Sequence, residues 1–325
     1  MSRLRPLSTA LLLAAAPAFA QDAGFPVTVP HAFGTTTIAA PPQRVATVAW
    51  ANHEVPLALG IVPVGMARAN FGDDDGDGVL PWVSARLAEL GAPVPPLFDE
   101  GDGIDFEAVA ASAPDVILAA YSGISADDYA TLGMIAPVVA YPDAPWATDW
   151  RQTIRMDSAG LGMAPEGDAL IARIEAEIAQ TLEGHPRLAG KRAMFVTHLD
   201  STNLSVINFY TGNDARVKFF GDLGLELPQS VAEATLPGQY SGAISAERID
   251  LFDDVDIIVT YGGDDLLAAL RADPLLSRMP AVANDAVVML GNDPLGTAAT
   301  PTPLSISYVL PDYVGLLSDA ARKAR

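Results

Sequence analysis

The sequence predicts an α/β protein of two lobes, each with a mainly parallel sheet, joined by one long helix. Three observations carry this: strands and helices alternate in both halves, an amphipathic segment interrupts the alternation mid-chain, and a pattern in the first half recurs in the second. The amphipathic segment is Pro165 to Leu182, PEGDALIARIEAEIAQTL. Leu170, Ile171, Ile174, Ile178 and Leu182 recur at the helical period, while Asp168, Arg173, Glu175, Glu177 and Glu183 take the other face. Pro165 suits the first helical position, Glu166 and Asp168 complement the helix dipole, and Gly184 with Pro186 ends the helix. The recurrence has an offset of 140 residues and no gap: Ile104, Glu107, Val109, Ile117, Leu118 and Tyr121 match Ile244, Glu247, Ile249, Ile257, Ile258 and Tyr261. Duplicated lobes account for it.

In chain order, Arg3 and Arg5 precede the apolar run Leu11 to Ala16, and Ala18-Phe19-Ala20 forms a small-x-small site before Gln21. Residues 1–20 therefore read as a secretory signal peptide cleaved after Ala20. An entry strand around Phe25 to Val29 leads to the buried-strand candidate Arg44 to Trp50, a helical stretch at Asn52 to Leu59, and a turn and strand at Gly60 to Gly65. Pro81 to Leu90 and Phe106 to Ala111 read as helices, and Val116 to Ala120 and Pro137 to Tyr141 as strands. After the long helix, strands are expected at Ala193 to His198, Ile257 to Tyr261 and Ala286 to Leu290. The expected organisation is an N-terminal lobe over 21–163, the helix over 164–184 and a C-terminal lobe over 185–325.

Composition narrows the setting. Hydrophobic residues make up 50% of the chain and aromatics 7%, a globular balance, and no stretch after the leader is apolar enough to span a bilayer. Cysteine is absent, which excludes disulfides and a lipidated cysteine and points to a protein released into the periplasm. Without the leader the basic residues fall from 19 to 17 against 40 acidic ones, taking the net charge from −21 to −23. Such a surface argues against nucleic acid and anionic membranes as partners.

In open α/β sheets, ligands sit beyond the carboxyl ends of the strands. Those ends are rich in aromatics here. Trp50 and His53 follow the first strand, Arg68 follows PVGMA, Tyr121 ends VILAA, and Tyr141 and Trp146 follow PVVA. In the second half His198 follows MFVT, Tyr210 and Tyr240 lie in adjacent segments, Tyr261 ends IIVT, and Asn292 follows VVMLG. Facing rims of this kind would form an aromatic cleft. The loop Phe71 to Gly78, FGDDDGDG, imitates half a calcium loop through Asp73, Asp75, Asp77 and Gly78, but its twelfth position is Ser84, so a turn held by Asx-type hydrogen bonds is the expectation. GxSxG, HExxH, Walker A and GxGxxG motifs are absent, and His31, His53, His185 and His198 lack metal-ligand spacing. His53 and His198, one per lobe, remain possible ligands of haem or a bare metal, with a satisfied core histidine as the simpler role.

RVATVAWANHEVPLALGIVPVGMA, LPWVSARLAELGA, IDFEAVAASAPDVILAAY and ISAERIDLFDDVDIIVTYG together resemble the periplasmic binding proteins of iron-siderophore ABC importers, a group that also carries vitamin B12 and haem. The resemblance runs from about Val45 to Leu317. It implies two Rossmann-like lobes bridged by a rigid helix, an ABC permease dimer as partner, and no cofactor beyond the transported ferric siderophore. It also implies a protein that is not an enzyme and works as a monomer. By the same resemblance, Glu107 in IDFE and Glu247 in SAE would dock the permease. The ligand-binding residues expected are Trp50, Arg68, Trp82, Tyr121, Trp146, Tyr210, Tyr240 and Tyr261, with Trp82 included because it matches a family tryptophan. Only Arg68 among the arginines is well placed for the cleft, with Arg216 and Arg248 open, which favours a hydroxamate chelate over strongly anionic citrate or catecholate. Haem, a corrinoid or a metal ion is the alternative ligand, and an exported enzyme on the same scaffold the remote one.

Overall fold

The computed structural model describes residues 24–324. The expected signal peptide and its cleavage after Ala20 lie outside the described residues. The chain opens with an antiparallel hairpin of β1 (Val27–His31) and β2 (Gly34–Ile38). There follow β3 (Val45–Thr47), α1 (Glu54–Ala58), β4 (Met66–Ala67), α2 (Pro81–Glu89), β5 (Leu97–Phe98), α3 (Phe106–Ala111), β6 (Val116–Ala119), α4 (Ala126–Gly133), β7 (Val138–Ala140) and α5 (Trp150–Gly160). Strands β3, β6 and β7 are parallel in that order, and a parallel bridge from Ala46 to Gly65 carries the parallel pair β4 and β5 alongside them. All four residues of β6 are fully buried, as a central parallel strand covered on both faces requires.

Helix α6 (Ala164–Leu182) is the long helix the periodicity predicts, starting one residue earlier. It buries Leu170, Ile171, Ile174 and Ile178, the expected stripe, together with Gly167. At Gly167 a Cβ would stand 2.1 Å from Ser158 Oγ of α5, so glycine is what lets the two helices approach. The stripe enters one cluster with Val55, Trp150 and Ile154 from the first half and Phe195, Phe220 and Tyr313 from the second. The helix is thus packed from both sides.

The second half contains β8 (Ala193–Val196), β9 (Val206–Tyr210), α7 (Ala215–Asp222), α8 (Gln229–Ala234), β10 (Ser241–Ser245), β11 (Ile257–Tyr261), α9 (Asp264–Ala272), α10 (Pro280–Ala283), β12 (Val287–Leu290), α11 (Pro294–Ala298) and α12 (Ser305–Lys323). The sheet runs β10-β9-β8-β11-β12, with β8, β11 and β12 parallel and β9 and β10 antiparallel at one edge. The repeat read from the sequence has a structural counterpart. β6 and β11 are the middle strands of the parallel triads β3-β6-β7 and β8-β11-β12. Asp105 and Ser245, also 140 apart, both cap the helical turn that follows, and Val109 and Ile249 are both buried beneath it.

Polar ties cross between the halves. Glu54 of α1 is fully buried, and its carboxyl accepts hydrogen bonds from Trp82 Nε1 at 2.6 Å and from the Leu304 amide at 2.8 Å. Arg151 of α5 bonds Glu175 of α6 at 2.6 Å and Asp222 of α7 at 2.8 Å, while its guanidinium lies 4.2 Å from the Trp150 ring centroid. Trp150 Nε1 also donates to Asp222 at 2.9 Å. The C-terminal segment completes the stitching, since Leu295, Ala298, Leu304 and Val309 pack with Leu57, Met66 and Val83 of the first half.

Two consequences for stability follow. Proline in place of Ile174 removes a backbone bond from the middle of α6 and clashes with the preceding turn, so Ile174→Pro should lower unfolding free energy by at least ~3 kcal/mol in urea titrations. Asp157 of α5 is fully buried and neither of its oxygens has a hydrogen-bond partner. Burial pushes its carboxyl well above the usual range, against a lowering influence of the nearby Ala120 amide. The folded chain therefore holds a proton there that the unfolded chain releases above its ordinary carboxyl pKa, and stability falls as pH rises from that value. Asp157→Asn should abolish this component: thermal melts from about pH 4 to 7 should show the wild type losing stability relative to the variant as pH rises.

Candidate functional site

The carboxyl ends of the two parallel sheets face each other across a cavity of about 580 Å³. Strand ends of both halves contribute. From the first half come Trp50 after β3, Arg68 to Phe71 after β4, Glu100 after β5, Tyr121 after β6 and Trp146 after β7. From the second come His198 after β8, Tyr210 at the end of β9, Tyr240 before β10 and Tyr261 at the end of β11, with Arg216 of α7 and Thr297 and Thr300 around α11. This is the crevice that strand polarity predicts.

Local backbone chemistry presents the two cavity tryptophans. Ala49, Ala51 and Trp146 all have left-handed backbone, with φ near 60°, and all line the cavity. Non-glycine residues hold that conformation only where neighbours enforce it. Asn52 enforces it beside Trp50: its amide nitrogen bonds the carbonyls of Val48 and Tyr121, and its oxygen accepts from the Tyr121 amide at 2.9 Å. Glu100 adds a second clamp by accepting from the Ala49 amide at 2.9 Å. Trp146 is fitted against Gly123, where a Cβ would stand 2.2 Å from the indole nitrogen, and its amide bonds the Ser122 carbonyl.

On the opposite wall the chemistry centres on Arg216. Its guanidinium donates to Thr300 Oγ1 at 2.7 Å and to Asp214 at 3.0 Å, and it lies 3.8 Å from the Tyr210 ring centroid. Burial opposes its charge, but the Asp214 carboxylate beside it more than offsets this, so it stays charged. Burial also pushes the Asp214 carboxyl up despite the arginine beside it. The hydroxyls of Tyr121, Tyr210 and Tyr261 are raised by burial and neutral. His198 stacks on Tyr261 with centroids 4.5 Å apart, and burial, then Arg216, lowers its imidazole. Phe71 reaches across from the first half to meet both rings edge-on, anchored by Gly72, whose amide bonds Asn292 Oδ1 at 2.8 Å. His53 is driven down to about 4 by burial and is neutral. Its Nδ1, Arg216 Nε and Thr297 Oγ1 are buried without partners, and all three residues line the cavity.

Seven of the eight residues expected at the cleft line it: Trp50, Arg68, Tyr121, Trp146, Tyr210, Tyr240 and Tyr261. Trp82 does not. It is 4% exposed, packed among Leu57, Met66 and Val83, with its nitrogen committed to Glu54. Arg216, left open by the sequence, is central, whereas Arg248 is exposed and 4.0 Å from Asp250 on the surface. Arg68 lines the cavity but donates to the Gly76 carbonyl at 3.2 Å, lying along the acidic loop. In that loop Asp73 accepts from the Gly76 and Gly78 amides, Asp75 from Asp77 and Asp77 from Val79, the Asx-type turn expected. Oxygens of Asp73, Asp75 and Asp77 lie within 4.8 Å of one another. Glu107 and Glu247 are exposed in the first turns of the two matching helical segments. Sequence reading missed Glu100 because β5, which positions it, is two residues long. It missed Phe71 because the acidic run beside it dominated the segment.

Comparison with known proteins fits this geometry. The Fe(3+) dicitrate-binding periplasmic protein FecB of Escherichia coli (strain K12) is 26% identical over 297 residues, 89% of this chain and 88% of that protein. The crystal structure of Streptococcus pneumoniae TIGR4 PiaA in complex with ferrichrome superposes with a TM-score of 0.89 and 46% identity, covering 92% of this chain and all of that one. A periplasmic solute binding protein from Mycobacterium smegmatis str. MC2 155 gives a TM-score of 0.73 and 28% identity, covering 91% of this chain and 98% of that one. With the periplasmic binding protein model matching residues 45–294, the chain belongs to the periplasmic binding protein family.

Proposed function

We propose that this protein is exported, captures a ferric hydroxamate siderophore between its lobes and hands it to an ABC permease without altering it chemically. The observation that carries the ligand class is the treatment of the cavity's cations. Arg216 is neutralised by Asp214, and Arg68 lies against the acidic loop. There burial opposes charge, but the Gly78 and Gly76 amides, then Asp75 and Arg68, together hold Asp73 below the usual carboxylate range. Neither arginine offers a free charge to a multiply anionic chelate, whereas Trp50, Trp146, Tyr121, Tyr210, Tyr240 and Tyr261 suit the organic shell of a nearly neutral one. PiaA, the more similar relative, has been seen with ferrichrome, while the more distant FecB is named for ferric dicitrate. In this reading the siderophore supplies every iron ligand. The lobes are 21–163 and 185–325 about the helix 164–184, the protein is a monomer, and the leader is cleaved after Ala20.

Glu107 and Glu247 would dock the permease dimer, one carboxylate per lobe, each at a helical first turn exposed to solvent. Such exposed charges steer association more than they add affinity.

Tryptophan fluorescence tests the ligand class. Ferrichrome should quench with a dissociation constant at least about tenfold below that of ferric dicitrate, an ~1.4 kcal/mol preference. Equal or reversed affinity, or a haem Soret band that disappears in His53→Ala or His198→Ala, would displace the reading. For docking, the double charge reversal Glu107→Arg with Glu247→Arg should reduce iron uptake by cells at least about tenfold while leaving ferrichrome quenching unchanged. Undiminished uptake would remove the two glutamates from the permease contact.

A further inference from the structure

Resting on the hydroxamate reading, one carboxyl in the cavity keeps hydrogen-bonding capacity that its backbone contact does not use. Glu100 lines the cavity, is half-buried, and receives a single donor, the Ala49 amide, which is 3.2 Å from one oxygen and 2.9 Å from the other. An ionised carboxyl has roughly four lone-pair positions, so most of its capacity is unused. Among the described residues no cation pairs with it. The charged groups facing the same cavity are otherwise engaged: Arg216 with Asp214, Arg68 with the Gly76 carbonyl, and Asp128 with Ser125 in the cap of α4. His53 and His198 are held towards the neutral form by burial. Around Glu100 on its own loop stand Asp99, Asp102 and Asp105, all acidic. A carboxylate in this position repels anionic ligands and is destabilised by partial burial until a positive group arrives.

We propose that Glu100 is a specificity-determining residue, receiving a protonated amine carried by the organic shell of the siderophore and so favouring ammonium-bearing hydroxamates over otherwise identical neutral ones. The ammonium would take up lone pairs that the Ala49 amide leaves free, converting an uncompensated carboxylate into a charge-assisted hydrogen bond. Hydrogen bonds to charged groups in partly desolvated sites correspond to roughly a tenfold to hundredfold change in affinity. A carboxylate-rich chelate would be disfavoured by the same group.

A role confined to holding the Ala49 backbone, and through it Trp50, is the competing account, and ligand charge separates the two. The probes are ferrioxamine B, a trihydroxamate iron chelate with one free terminal ammonium, and its N-acetylated derivative, which keeps the chelate and loses the charge. By tryptophan quenching at pH about 8, wild-type protein should bind the ammonium form at least about tenfold more tightly. Glu100→Gln keeps an oxygen acceptor for the Ala49 amide and removes the charge, so the ratio of the two constants should fall to about one. Glu100→Ala removes the backbone clamp as well and should also give a ratio near one, with both chelates weakened. Burial pushes the Glu100 carboxyl up to about 7, aided by Asp105 and opposed by the Ala49 amide. The wild-type ratio should accordingly shrink as pH is lowered from about 8 to about 6. Equal wild-type affinity for the two chelates, or a preference that survives in Glu100→Gln, would overturn the assignment. If ferrichrome binds and the paired chelates are not discriminated, Glu100 alone is wrongly assigned; if ferrichrome and both trihydroxamates fail to bind, the hydroxamate reading falls and the assignment with it.

Discussion

The buried carboxyl of Glu54 fixes how the two halves of the molecule meet. It sits at the start of α1, directly behind the Trp50 rim, and accepts from Trp82 on one side and from the Leu304 amide on the other. Burial raises its carboxyl while Thr302, Leu304, Trp82 and Ser305 pull it back down, so the cost of burying it is partly offset by the donors that converge on it. Without those donors the N-terminal end of α12 would have no polar anchor against the first half. With them, the segment from Leu295 to Val309 is bound into the core around Leu57 and Met66. Arg151 performs a parallel task, joining α5, α6 and α7 through Glu175 and Asp222. The cavity lies between facing rims whose separation these ties help to set.

The repeated pattern supplies two similar rims, and the contents of the cavity show how the two differ. Tyr121 and Tyr261 occupy matching strand ends and both line the cavity together with Arg216. Around that symmetric pair the walls differ: the first half offers Trp50, Trp146 and Glu100, the second a stacked His198 and the Arg216–Asp214 pair. Three unpartnered buried polar atoms, on His53, Arg216 and Thr297, belong to residues of this same surface.

Much of this was legible because period and burial agree. The stripe of α6, the helix Phe106–Ala111 and the strand Ile257–Tyr261 sit where the sequence puts them, since each is long enough or apolar enough for its period to be read. The antiparallel strands β9 and β10 were not visible; their residues alternate between exposed and buried or half-buried, which in short runs resembles loop. The cleft aromatics followed from strand polarity alone. Trp82 was misplaced because the residue that claims it, Glu54, lies 28 positions away and is itself bonded to Leu304, 250 positions further on. Neither separation leaves a local signal. Glu100 was hidden for a related reason, as its position depends on a two-residue strand and on the amide of Ala49, 51 residues earlier.

The pairing of Arg216 with Asp214 bears on the surroundings in which such a receptor can operate. An exported protein meets the ionic strength of the medium rather than that of the cytoplasm. At about 0.15 M salt, charges interacting through solvent are screened over roughly 8 Å, so recognition by an open field of arginines would weaken as salinity rises. Here Arg216 and Asp214 are 15% and 0% exposed, compensated by one another and surrounded by neutral tyrosines. Contacts made at that surface are short-range and desolvated. The architecture therefore decouples capture from the salinity of the habitat, despite a chain whose net charge of −21 would make long-range encounter sensitive to it.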